Sequence, residues 1–139
     1  MKRTLTLFVI VMAFALLLTG CNSGDVSNVA RNIVGNELYT EAEIHEAMAT
    51  VERYFQSNFP GCTLRELTYD EQFSIERGGS TYAERNEGER SLILTSVFDV
   101  GESDLGGGLS ANKTVSTGWT WRLTQSNDEG WILQGCGYC

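Results

Sequence analysis

Three patterns of apolar and polar positions divide this chain. The first is an uncharged, largely apolar run from Leu5 to Leu18, which follows Lys2 and Arg3 and gives way to polar sequence after Leu18-Thr19-Gly20-Cys21. The run is about 14 residues long, short of the roughly 20 that span a bilayer core as a permanent helix. A basic start, an apolar middle and small residues before a cut are the parts of an export signal. The second pattern is helical. Ile44, Ala47, Met48, Val51, Tyr54 and Phe55 form one stripe, with Glu41, Glu46, Glu52 and Arg53 off its middle. Thr40-x-x-Glu43 is a capping box flanked by Tyr39 and Ile44 in the staple positions, and Pro60-Gly61 closes the run. These signals predict a helix from Glu41 to about Asn58.

The third pattern is alternation. Cys62 to Tyr69 reads as a strand whose imperfect alternation predicts a bulge near Arg65-Glu66. Ser91 to Val100 is apolar on both faces in its first half, as a central strand should be. Thr114 to Gln125 and Trp131 to Tyr138 read as two strands joined by a turn over 126–130. Pairing Gln125 with Trp131 sets Leu123 against Leu133, Trp121 against Gly135 and Trp119 against Gly137. Trp119, Trp121, Leu123 and Leu133 would then cover the helix, and Thr120, Arg122, Thr124, Gln134, Cys136 and Tyr138 would form a wetter face. Residues 70–90 and 101–113 read as loops, the first fixed at its start by Phe73 and Ile75. In the stretch 22–36, Val26, Val29, Ala30, Ile33 and Val34 recur at helical spacing between Asp25 and Gly35. That predicts either an unstructured tether or a short helix over 26–34, which alone would be marginal. The expected fold is α+β: one N-terminal amphipathic helix packed against a curled antiparallel sheet of about four strands.

Leu18-Thr19-Gly20-Cys21 resembles the lipobox of bacterial lipoprotein precursors at all four positions. The resemblance implies a signal peptide over 1–20, diacylglycerol on Cys21, a tether over 21–38 and a single globular domain over 39–139. It also implies a place on the extracytoplasmic face of a membrane. Each buried acyl CH₂ contributes about 0.8 kcal/mol and one chain alone holds weakly, so the two chains of diacylglycerol supply stable anchoring. Within the body, Gly61-Cys62-Thr63-Leu64, Tyr69-Asp70-Glu71, Trp119-Thr120-Trp121 and Gly137-Tyr138 resemble a group of small uncharacterised bacterial lipoproteins. Their helix-then-meander layout is similar to cystatin-like and NTF2-like folds. Cys136 and Cys139, which flank the Gly-Tyr, depart from that group.

Charge narrows the partners. Residues 1–20 hold two of the ten basic residues and none of the 18 acidic ones, so the remaining 119 residues carry a net charge of −10, with Lys113 their single lysine. Such a body is repelled by nucleic acid and by anionic lipid heads, which leaves the acyl chains as its hold on the membrane. An envelope protein or a small ligand is the expected partner, and nucleic acid is excluded.

Candidate chemistry is sparse. Export places Cys62, Cys136 and Cys139 where disulfides persist, and three thiols allow one bridge in three ways. Strand parity favours Cys62–Cys139, and closing that loop of nearly 80 residues would stabilise by about 4 kcal/mol. Cys136-Gly-Tyr-Cys139 has thiol-oxidoreductase spacing, but such sites place the first Cys at a helix N-terminus, and here it ends a strand. His45 is the only histidine and sits on the flank of the helix, so no His-based metal cluster forms. Asp99, Glu102 and Asp104 are oxygen ligands of the kind calcium takes, yet their spacing is not that of an EF-hand loop. Trp119, Trp121 and Trp131 are either core or a ligand platform. No catalytic residue, metal or cofactor is identified. The reading is a lipid-anchored extracytoplasmic binding or accessory domain. A thiol-redox protein using Cys136 and Cys139, or an NTF2-like small pocket enzyme, is the alternative. A protease-inhibitor-like module follows only from fold analogy.

Overall fold

The computed structural model describes residues 23–126 and 130–138. Its elements run β1 (Ala30–Val34), α1 (Glu41–Asn58), β2 (Thr63–Asp70), α2 (Glu71–Glu76), α3 (Tyr82–Asn86), β3 (Ser91–Asp99), β4 (Thr114–Val115), β5 (Trp119–Ser126) and β6 (Gly130–Tyr138). They form one open, mixed sheet in the order β1-β2-β3-β5-β6, with β4 paired to the end of β3. The α+β class is as the sequence implies. The sheet has six strands rather than about four, and β1 lies parallel to β2, so it is not purely antiparallel.

Helix α1 forms where the capping box places it. Thr40 Oγ1 accepts the Glu43 backbone N–H at 3.2 Å and Glu43 Oε2 accepts the Thr40 N–H at 2.9 Å, so two otherwise unpaired donors are satisfied. Its buried face is Ile44, Ala47, Met48, Val51 and Phe55. At its end Phe59 N–H bonds the Phe55 carbonyl, and Gly61 turns the chain at φ +74°. The sheet opposes this stripe with alternate residues: Leu64, Leu67 and Tyr69 from β2, Leu92, Leu94 and Phe98 from β3, and Trp121 and Leu123 from β5, each 1% exposed or less. The bulge expected in β2 lies between Leu64 and Glu66, with Arg65 the extra residue, and it lets Leu64 and Leu67 both face α1.

The β5–β6 hairpin keeps the expected register only for its first half. Gln125 pairs with Trp131 and Leu123 with Leu133, but a second bulge makes Gln134 the extra residue. Beyond it Trp121 opposes Cys136 and Trp119 opposes Tyr138, not Gly135 and Gly137. The indoles find their space against α1 instead, among Phe55, Phe59 and Phe98 at centroid distances of 5.5–6.4 Å. Residues 127–129 of the turn lie outside the described residues.

Two further expectations are corrected. The region 26–34 is neither helix nor loose tether. Residues 30–34 form β1 along the open edge of β2, with Ala30 opposite Glu66 and Val34 opposite Asp70. The apolar spacing that suits a helix equally suits Val29 and Ile33 packing against the core, and β-branched residues fit a half-buried edge strand better than a marginal short helix. Residues 70–90 are not a loop throughout. Asp70 Oδ1 caps α2 through the Phe73 N–H, and Thr81 and Glu84 form a second capping box for α3. Ser74 Oγ accepts the Ile93 N–H at 2.9 Å, and Arg122 donates to the carbonyls of Arg77 and Gly78 at 3.1 Å each. These bonds seat α2 and its following turn over one half of the sheet's outer face, the face turned away from α1.

Candidate functional site

The uncovered half of that outer face is a groove of about 330 Å³. Its floor is made by the outward residues of three neighbouring strands: Glu66 and Thr68 on β2, Thr95 and Val97 on β3, and Thr120 on β5. Phe73 and Arg77 of the α2 region form one wall, and Ser116 to Gly118, the break between β4 and β5, form the other with Trp119 at the start of β5. The Arg77 guanidinium lies 5.2 Å from the Phe73 ring centre. Thr68 Oγ1 donates to Glu66 Oε1 at 3.2 Å and accepts from Asn32 Nδ2 at 3.4 Å, and Thr120 Oγ1 donates to the Gly137 carbonyl at 3.4 Å. The Thr68 and Thr120 hydroxyls have each spent their single donor and keep acceptor capacity, and the groove adds the hydroxyls of Thr95, Ser116 and Thr117, one carboxylate, one guanidinium and an apolar wall. Its lining includes neither histidine nor cysteine.

The helix side of the sheet is filled. Trp119, Trp121 and Trp131 are 7%, 0% and 7% exposed, so they serve as core and not as an exposed platform. Trp121 Nε1 donates to Ser96 Oγ at 2.8 Å, and Trp119 alone borders the groove. A pocket of the NTF2-like kind would need space where these side chains pack.

Cys62 is buried and Cys136 exposed on the edge strand, and they are not joined to each other. Burial pushes the Cys62 thiol pKa up, and partial covering of its sulfur does the same for Cys136. That is opposite to the activation a redox thiolate needs. Cys139 and Cys21 lie outside the described residues. Along the sheet, β2 and β6 are three strand spacings of about 4.8 Å apart, whereas bridged Cα atoms lie within about 7 Å.

The other polar candidates have separate partners. Arg31 of β1 clamps Glu52 of α1 at 2.9 and 2.7 Å and donates to His45 Nδ1 at 3.3 Å. Asp99 binds Arg65 and Thr114 Oγ1, each at 2.7 Å, and these hold its carboxyl below the usual range, Thr114 most strongly. Asp104 accepts the Ala111 N–H at 2.6 Å, and Glu102 is exposed.

Two clusters that strand and helix patterns do not announce lie at the opposite end of the molecule. Tyr82 Oη is 2.8 Å from Glu37 Oε2 and 3.0 Å from Glu71 Oε1, and the second oxygen of Glu71 accepts the Leu38 N–H at 2.9 Å. The Glu37 and Glu71 carboxylates push the Tyr82 hydroxyl's pKa up. Nearby, Arg85 and Arg90 stand 5.5 and 5.8 Å over the Tyr39 ring, Trp131 meets that ring edge-on at 5.3 Å, and Arg90 pairs with Glu43. Both clusters tie α3 and its flanks to the start of α1. The region reads as a loop in sequence, and the Thr81-x-x-Glu84 spacing is the one local signal that could have announced it. Comparison with protein families, with characterised proteins and with solved structures finds no match to this chain.

Proposed function

We propose that this chain is a lipid-anchored extracytoplasmic binding domain that holds a small polyhydroxylated ligand, of the size of a monosaccharide, in its outer-face groove. The observation that carries the binding reading is the contrast between the two faces of the sheet. The face toward α1 is packed solid, while the other keeps a groove of about 330 Å³ lined by Thr68, Thr95, Ser116, Thr117 and Thr120. That volume lies at the small end of ligand pockets, and side-chain hydroxyls match ligand hydroxyls because both donate and accept. Glu66 and Arg77 would fix orientation, and Phe73 would cover an apolar sugar face. The anchor is supported by Leu18-Thr19-Gly20-Cys21 after a short apolar run and by the two-chain arithmetic of membrane retention.

Two measurements test the two halves of this reading. Amide chemical shifts followed during titration with a panel of neutral monosaccharides should move at Thr95, Ser116 and Thr120, and Thr95→Trp, which fills the groove, should abolish the response. Shifts that scatter over the surface, or persist in Thr95→Trp, would sink the groove. For the anchor, Cys21→Ala should release the chain from the membrane fraction or leave it as unprocessed precursor. A variant still processed and membrane-bound would remove the lipid reading.

A further inference from the structure

The body is tied down almost from its first described residue. Gly24 N–H bonds the Gln56 carbonyl at 2.9 Å, Asp25 N–H bonds the Cys62 carbonyl at 2.8 Å, and Leu64 N–H bonds the Asp25 carbonyl at 2.9 Å. Gly24 lies so close to α1 that a Cβ there would stand 2.5 Å from the Phe55 carbonyl oxygen and 3.0 Å from that of Phe59. Only Asn22 and Ser23 separate Cys21 from Gly24, and an extended chain spans at most about 3.6 Å per residue. The Cys21 backbone therefore lies within about 11 Å of Gly24, which itself packs on the C-terminal end of α1.

That end has a distinct composition. It is made by Pro60-Gly61 and the loop 101–113, which packs so tightly on the turn that a Cβ at Gly101 would stand 2.5 Å from the Gly61 carbonyl oxygen. At Gly106 and Gly107 an added Cβ would meet nothing within 4 Å. Pro60, Gly61, Gly101, Glu102 and Leu105 border an open hollow of about 810 Å³. Glycine-rich backbone without long side chains permits close approach to a flat surface. The charges on this loop nearly cancel, with Glu102 and Asp104 against Lys113, although the body as a whole is strongly acidic.

We propose that the domain stands end-on against the lipid headgroups in one orientation, with Pro60-Gly61 and the loop 101–113 facing the membrane. It rests on the anchor reading above. Helix α1, 18 residues long, then lifts the Tyr39–Arg85–Arg90 end about 27 Å from the surface. The Ser116–Gly118 wall of the groove belongs to the membrane-facing end, so the groove opens sideways just above the headgroups. A loose tether of the length of 21–38 would leave the body free to tumble. Its incorporation into the sheet as β1, with Gly24 and Asp25 fixed beside α1 and β2, removes that freedom.

The test uses the lipidated full-length mature chain in phosphatidylcholine vesicles containing a headgroup-nitroxide lipid. A fluorophore is attached through Ser103→p-azidophenylalanine or, separately, Glu87→p-azidophenylalanine, both exposed positions. The label at 103 should be quenched several-fold more than the label at 87. Ten Gly/Ser residues inserted between Asn22 and Ser23 should bring the two to near equality. Equal quenching without the insertion, in protein shown by mass spectrometry to carry diacylglycerol on Cys21, overturns the stance and leaves the anchor intact. Absence of the lipid in that mass measurement overturns the anchor and the stance with it.

Discussion

At Gly24 and at Ser96, single atoms decide whether neighbouring parts of the fold close. An added methyl at Gly24 would meet Phe55 Cδ1 at 2.9 Å as well as two backbone carbonyl oxygens. The backbone cannot yield as a flexible side chain would. Gly24→Ala should therefore destabilise by about 1–3 kcal/mol, read as a thermal midpoint lower by several degrees. An unchanged midpoint would mean that the chain start is not packed against α1 and would weaken the fixed stance as well. Ser96 carries the one hydroxyl that receives the buried Trp121 indole N–H, which explains a serine amid the apolar inward residues of β3. The sequence offered no local sign of either role. Glycine after a lipobox reads as tether and serine in a strand as an interruption, because the partner atoms lie 25 or more positions away.

Among the elements, α1 was legible to the residue and β1 was not. The capping box, the apolar stripe and the Pro-Gly stop all act within a few residues, so the pattern carries them. Glu43 shows how one capping residue also serves the tertiary fold, since it pairs with Arg90 while bonding the Thr40 N–H. Burial pushes its carboxyl pKa up, but the Thr40 N–H and the Arg90 charge outweigh that and hold it below the usual carboxylate range. A depressed folded-state pKa stabilises the fold fully above the unfolded value and is lost as pH falls through the folded value. The thermal midpoint should thus fall between about pH 5 and pH 3 by a larger amount in the parent than in Glu43→Gln. Equal acid losses in both would show that Glu43 is not linked to folding. The same Thr-x-x-Glu spacing at Thr81 and Glu84 was equally readable and marks α3. Strand β1, by contrast, depends on a parallel edge of β2 that no local spacing reveals. The bulge at Gln134 likewise arises from fitting the hairpin to its neighbours, and it moved Cys136 and Tyr138 opposite the tryptophans.

For the molecule as a whole, the net charge, the leader and the amphipathic helix were readable before any coordinates, because composition and local periodicity carry them. They yield an acidic α+β domain, for which export and a lipid-bearing cysteine are the proposed reading of the lipobox-like start. The groove was not readable. Its floor joins Glu66, Thr95 and Thr120 from three strands, and as isolated residues these are ordinary solvent-facing positions. What makes them a site is that α2 covers one half of the outer face and leaves the other bare. The stance on the membrane has the same origin. Residues 24–34 read as slack until pairing with β2 and contact with α1 show that they are held against the body. Short-range spacing encodes which segments coil and which extend. Which faces stay open, and the membrane stance proposed from them, follow only from long-range packing.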